Sequence, residues 1–158
     1  MKLTEIVNPR QTILLTTKYK NKENIITLDW HTPLSFEPPM YAVAIGKTRY
    51  SLELIKQSKV FVINFMSPQF QKEILFCGRN SGRDIDKFKE TKFTKEKSKT
   101  IDCPRIKEAL GYLECIVEKQ INVGDHILFI GKITNSNLKK IDKRIFHIKD
   151  DLFTTTIN

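Results

Sequence analysis

The chain has 158 residues, 40% hydrophobic and 28% charged, the size and make-up of one soluble domain spanning 1–158 that can bury a core without staples. Its 27 Lys+Arg against 18 Asp+Glu give a net charge of +9, which fits either a lysine-rich composition or an anionic partner. No apolar run is long enough to span a bilayer, the first residues carry no secretory pattern, and the three cysteines lack CxxC spacing. These features predict a cytoplasmic protein with reduced, mostly buried thiols and no membrane partner.

In chain order, Thr12 to Thr17 reads as an apolar strand. The polar residues Lys20 to Asn24 form a turn, and Ile25 to Asp29 returns as the second half of a hairpin. Trp30-His-Thr-Pro-Leu-Ser-Phe-Glu-Pro-Pro39 reads as a proline-stiffened loop. Such a loop presents its backbone groups to a flat heteroaromatic ligand, or is simply a rigid turn with Trp30 packed inside.

Tyr41 to Ile45 is a buried strand ended by Gly46, and a helix runs from about Tyr50 to Gln57. Gly46-Lys-Thr-Arg-Tyr-Ser51 joins the two. A strand-to-helix junction with Arg49 and two hydroxyls suits an anion; equally, Thr48 or Ser51 only caps the helix. Val60 to Phe65 is apolar nearly throughout, as expected of a strand covered on both faces.

Ser67 and Pro68 open a second helix that Gly78 is expected to end, with Phe70, Ile74 and Cys77 on one face. Gly78 to Phe88, with two glycines, Ser81 and several cations, is a second anion cradle or a loop shaped by a bridge from Arg83 to Asp84 or Asp86. Lys87 to Lys99 is a low-complexity, solvated loop anchored by Phe88 and Phe93.

Leu113, Cys115, Val117 and Ile121 alternate with Glu114, Glu118 and Gln120, so the glutamates should face water. A turn at Asn122 to Asp125 leads into a buried strand from His126 to Ile133, and Arg144 to Ile148 is a last short strand. Lys139 to Arg144 reads as solvated. His126 opens its strand where a side chain can face a cleft, or is structural. His31, His126 and His147 have no metal-ligand spacing. Many strands, few helices and no βαβ alternation predict a mainly β fold, a β-barrel with short helices.

The ordered series Trp30 to Pro39, Gly46 to Ser51, Phe61-Val-Ile-Asn64, Phe76 to Phe88, Leu113-Glu-Cys115 and Gly124-Asp-His126 resembles the flavin reductase-like FMN-binding split barrels, especially the flavoredoxin-type branch, over about residues 10–135. The resemblance implies a Greek-key antiparallel split barrel, a homodimer and FMN near the dimer interface. It implies FMN contacts from Asn24, Trp30, Ser51, Lys87 and His126, with Thr48 and Arg49 at the phosphate. The backbone of Thr27, Leu28, Asp29, Trp30, His31 and Thr32 would line the isoalloxazine, with Ser81 and Gly82 in the same site and Phe153 as a cover.

It also implies an oxidoreductase or electron carrier taking electrons from NAD(P)H or a reduced protein and passing them to a flavin or protein acceptor. No separate nicotinamide-binding motif is present. The alternative is a basic nucleic-acid-binding β-barrel without redox activity, which has the charge and scattered aromatics but no RNP-like pattern.

Overall fold

A computed structural model describes residues 2–157. Its elements are α1 (Leu3–Val7), β1 (Arg10–Gln11), β2 (Ile13–Tyr19), β3 (Lys22–Leu28), β4 (His31–Phe36), β5 (Pro39–Gly46), α2 (Tyr50–Ser58), β6 (Val60–Phe65), a 3-10 turn (Pro68–Phe70), α3 (Gln71–Arg79), α4 (Lys87–Thr91), β7 (Lys95–Glu96), β8 (Arg105–Ile106), β9 (Gly111–Val123), β10 (His126–Leu138), β11 (Ile145–Lys149) and β12 (Leu152–Thr155). Among the described residues no helix is long and apolar enough to cross a membrane.

Seven strands form one antiparallel sheet in the order β3-β2-β6-β9-β10-β5-β4. The two edge strands, β3 and β4, are joined by Asp29 and Trp30 alone. So short a connection reaches from one edge to the other only if the sheet curls until its edges lie side by side. The result is a barrel with an unpaired seam, and the seam carries the Asp29–Trp30 corner.

Period-two patterning sorts β2 between two cores. Ile13 and Leu15 point into the barrel with Val43, Ile45, Phe61, Ile63, Cys115 and Phe129, capped by Leu52 and Ile55 of α2. Leu14 points outward to a second core with Ile25, Ile74, Cys77, Phe88, Phe93 and Ile145. Covered on both faces, β6 is apolar as expected. All three cysteines are free and buried.

Several expectations need correction. The Trp30 to Pro39 loop is largely strand β4 and the start of β5. Pro33 is tolerated because β4 is an edge strand with a register shift between Pro33 and Ser35. The first hairpin turns tightly at Lys20 and Asn21, so Asn24 lies within β3. Ser67 caps the 3-10 turn, accepting from the Gln69 amide at 3.5 Å, and α3 runs through Gly78 to Arg79. Lys87 to Lys99 is not a bare loop: Asp86 caps α4, and Phe88 and Phe93 are core residues.

Glu114 is fully buried. Its carboxylate accepts from the amides of Lys99 (3.0 Å) and Thr100 (2.8 Å), from Asn135 Nδ2 (3.0 Å) and from Arg105 Nη1 (3.3 Å), which satisfy it where alternation predicts solvent. Ile121, expected inside, is exposed, because β6 pairs with β9 only as far as Ile116 and the rest of β9 has β10 as its one strand neighbour. The last strand pairs with a further one, β12.

Candidate functional site

Three chain segments converge beside the seam: the start of α2, the end of α3 with the loop to Arg83, and β3. Between them lies a cavity of about 160 Å³ lined by Asn24, Thr48, Arg49, Arg79, Ser81, Gly82, Arg83 and Lys87, among others, with no carboxylate in its wall. Arg83 is held by an ion pair with Glu53 and donates to the Thr48 carbonyl at 3.3 Å, in place of the expected bridge to Asp84 or Asp86. Arg79 pairs with Asp151. Arg49 has no ion pair among the described residues and sits at the N-cap of the nine-residue helix α2, whose dipole adds to the positive field.

Lys87 is only 4% exposed. Its ammonium donates to the Ile25 carbonyl and to the Cys77 carbonyl, both at 2.7 Å. Burial pulls its pKa down to about 8, since no carboxylate compensates the charge. The residue therefore ties α3 and α4 to β3 as well as lining the cavity. Burial pushes the Cys77 thiol up to about 12, so this cavity residue is no nucleophile.

Asn24 Nδ2 donates to Ser51 Oγ at 2.9 Å, and Thr17 Oγ1 donates to the same oxygen at 3.3 Å. Asn24 Oδ1 is buried with no partner among the described residues. Gly82 lies directly over it: a Cβ there would fall 2.1 Å from Oδ1 and 3.0 Å from Tyr50 Cδ1.

Trp30 and His126, both beside the end of β5, stack with ring centroids 4.6 Å apart and planes at 27°. Asp125 Oδ1 accepts from His126 Nδ1 at 2.6 Å. A Cβ on Gly46 would touch both His126 Nε2 (3.7 Å) and Arg49 Cγ (3.6 Å), so the stacked pair and the cation-lined cavity adjoin through Gly46.

Along Thr27 to Thr32 the side chains serve the fold. Thr27 Oγ1 donates to the Ile74 carbonyl (2.6 Å), and Leu28 is in the barrel core. Asp29 accepts from Thr12 Oγ1 (2.6 Å) and from His147 Nδ1 (2.7 Å). His31 Nε2 donates to the Gln11 carbonyl (2.7 Å), and its Nδ1 accepts from the Tyr41 hydroxyl (2.8 Å). Burial lowers the His31 pKa and raises that of Tyr41 to about 12, which keeps this pair neutral. Thr32 is exposed and bonds the next carbonyl at 3.2 Å. In this stretch only backbone atoms and Trp30 are left for a ligand.

The structure thus brings Asn24, Thr48, Arg49, Ser81, Gly82 and Lys87 to one cavity, with Ser51 behind Asn24. Trp30 and His126 stand beside it. Phe153 packs on His147, with centroids 5.1 Å apart, and on the second core rather than over the seam. Ile26 is a lining residue that the sequence does not single out, and Arg79 and Tyr50 lie within the Gly78 to Phe88 and Gly46 to Ser51 segments without being among the expected FMN contacts. Arg79, next to the helix-ending position assigned to Gly78, carries the clearest signal.

The donor set suits a flavin mononucleotide. Arg49 and Lys87, which have no carboxylate partner among the described residues, and a helix N-terminus suit a phosphate dianion, while a buried acceptor such as Asn24 Oδ1 suits a hydroxyl of a polyol chain. Phe88 and Phe93, buried as they are, offer no stacking platform to nucleic-acid bases.

The family described as the flavin reductase like domain matches residues 7–154. An uncharacterized protein of Archaeoglobus fulgidus is 37% identical over 131 residues, 83% of this chain and 73% of the relative. The structure of flavoredoxin from Methanosarcina acetivorans superposes with a TM-score of 0.89 at 25% identity, over 100% of this chain and 90% of that one. An FMN-binding protein from Thermus thermophilus, solved with bound 1-cyclohex-2-enone, superposes with a TM-score of 0.87 at 19% identity, over 94% of this chain and 87% of that one.

Proposed function

This chain belongs to the flavin reductase like domain family, and from that premise we propose that it holds FMN at the barrel seam and passes electrons from NAD(P)H or a reduced protein to a flavin or protein acceptor. The observation that carries this reading is the cavity walled by Arg49, Arg79, Arg83 and Lys87 without a carboxylate, adjoining the stacked Trp30–His126 pair. Bound FMN would supply reversible one- and two-electron redox chemistry.

The chain's residues would do the rest. Thr48, Arg49 and the first turn of α2 would bind the phosphate, with Ser81 and Gly82 closing the loop over it. Asn24, held by Ser51, would accept a hydrogen bond from the ribityl chain. The backbone of Thr27 to Thr32 would border the ring edge, and Trp30 and His126 would wall one side and limit water. Lys87 would supply positive charge near the phosphate end. Without a nicotinamide motif of its own, the protein would take NAD(P)H only by direct stacking over the flavin.

FMN gathers its two negative charges on one terminal phosphate, which the compact cluster at Arg49 and the start of α2 suits better than the extended pyrophosphate of FAD. Arg49→Ala should weaken FMN at least about tenfold and leave riboflavin nearly unaffected, because a charge-assisted hydrogen bond contributes about 1.5–3 kcal/mol and only FMN has the phosphate. Parallel fluorescence titrations decide this, and equal losses for both ligands would remove Arg49 from the phosphate site.

The family reading also implies a two-fold homodimer. Exposed apolar side chains on β9, Ile116, Ile121 and Val123, support it. Light scattering should give twice the 18.4 kDa chain mass. A monomer that still binds FMN tightly would contradict the dimeric site.

A further inference from the structure

A second cavity, sharing no residue with the first, lies where the end of β6, the start of β9 and the end of β10 meet. It encloses about 380 Å³ and is lined by Phe65, Tyr112, Leu113, Leu138 and Arg144, with Gln11, Asn137 and others at its edge. Its volume falls within the range of small-molecule sites.

Arg144 is the unusual group. Its backbone is pinned: the amide donates to Thr156 Oγ1 at 3.3 Å, and the carbonyl accepts from Thr155 Oγ1 at 2.8 Å. Its guanidinium lies over the Phe65 ring, 5.7 Å from the centroid. Its Nη1 is buried with no hydrogen-bond partner among the described residues. No carboxylate lines the cavity, and Asp142, the acidic neighbour in sequence, pairs instead with Lys140.

Arg144 is half-buried and lines the cavity with no carboxylate beside it there, so an anion that enters meets an uncompensated guanidinium. One guanidinium facing an apolar wall of Phe65, Leu113 and Leu138 compensates a single negative charge. That composition selects a monoanion with a flat apolar body over a phosphate dianion. We propose that this cavity is a binding site for small organic monocarboxylates, with Arg144 receiving the carboxylate and Phe65, Leu113 and Leu138 receiving the apolar body. The site stands independently of the flavin reading. Gln11 and Phe65 do, however, touch the His31–Tyr41 pair behind the seam, Gln11 through its carbonyl and Phe65 edge-on to Tyr41 at 6.4 Å.

Benzoate and its neutral isostere benzamide are the probes, titrated into the full-length protein and followed by calorimetry and by ligand-observed NMR. Benzoate should bind at least about tenfold tighter than benzamide, and Arg144→Gln should erase that difference. Leu138→Trp fills the mouth of the cavity from a half-exposed position and keeps Arg144, so it should weaken benzoate at least about tenfold with an unchanged circular dichroism spectrum. Equal affinity for the two probes, benzoate binding that survives both substitutions, or no benzoate binding up to its solubility limit would each overturn the site.

Discussion

Lys87→Met should cost the fold about 2 kcal/mol at pH 7, and the loss should grow as the pH rises. The substitution keeps the apolar stem but leaves the Ile25 and Cys77 carbonyls without the ammonium that joins them, a deficit of about 1–3 kcal/mol for each buried acceptor. Removing a desolvated charge offsets part of this. The pH dependence follows from the depressed pKa, about 8 in the fold against 10.5 for an ordinary lysine.

Between those values the unfolded chain binds a proton that the folded chain has released, so wild-type stability rises with pH across that window. The rise totals on the order of 3 kcal/mol. Lys87→Met lacks it. Urea unfolding at pH 7 and pH 9.5 measures both terms, and the exposed Lys89→Met, whose partner Asp86 is 3.6 Å away, serves as control with an effect within about 0.5 kcal/mol. Parallel pH profiles for wild type and Lys87→Met would show that Lys87 titrates normally. A phosphate held in the cavity would keep the ammonium charged, so saturating FMN should flatten the wild-type rise.

Gly82→Ala should lower FMN affinity by roughly tenfold to a hundredfold. The new methyl would lie 2.1 Å from Asn24 Oδ1 and 3.0 Å from Tyr50 Cδ1. Neither neighbour is free to retreat: the Asn24 carboxamide is held by Ser51 at 2.9 Å, and Tyr50 begins α2. The loop must lift, and with it Ser81 and Arg83 leave the cavity wall. Overpacking of this kind also costs about 1–3 kcal/mol of stability. Flavin fluorescence quenching measures the affinity, and an unchanged Kd would mean that the loop over Asn24 is not part of the flavin site.

The contrast between these two residues shows what the sequence displays and what it hides. Gly82 stands in a glycine-rich stretch that announces a close approach of backbone to something. Lys87 is one lysine in a run of them, and nothing local distinguishes it from Lys89. Its burial is set by two carbonyls, one 62 residues away on β3 and one 10 residues away on α3, which only the folded chain brings together. The same holds for Glu114, whose following same-face neighbours Ile116 and Glu118 are exposed while the Lys99–Thr100 segment folds over it.

Strand β4 was hidden for a different reason. Pro33, Pro38 and Pro39 are turn signals in isolation, yet an edge strand needs donors on one side only. The barrel itself was legible in its alternating strands, but the seam was not. It follows from a two-residue link between opposite edges of the sheet, and that requires knowing which strands are neighbours.

The central claim, that this protein holds FMN, is tested most directly by incubating it with excess FMN, passing it through gel filtration and recording the visible spectrum of the folded protein peak. The account predicts flavin absorbance co-eluting with protein at about one FMN per chain, with FAD and riboflavin retained less. A folded protein that elutes colourless would contradict it.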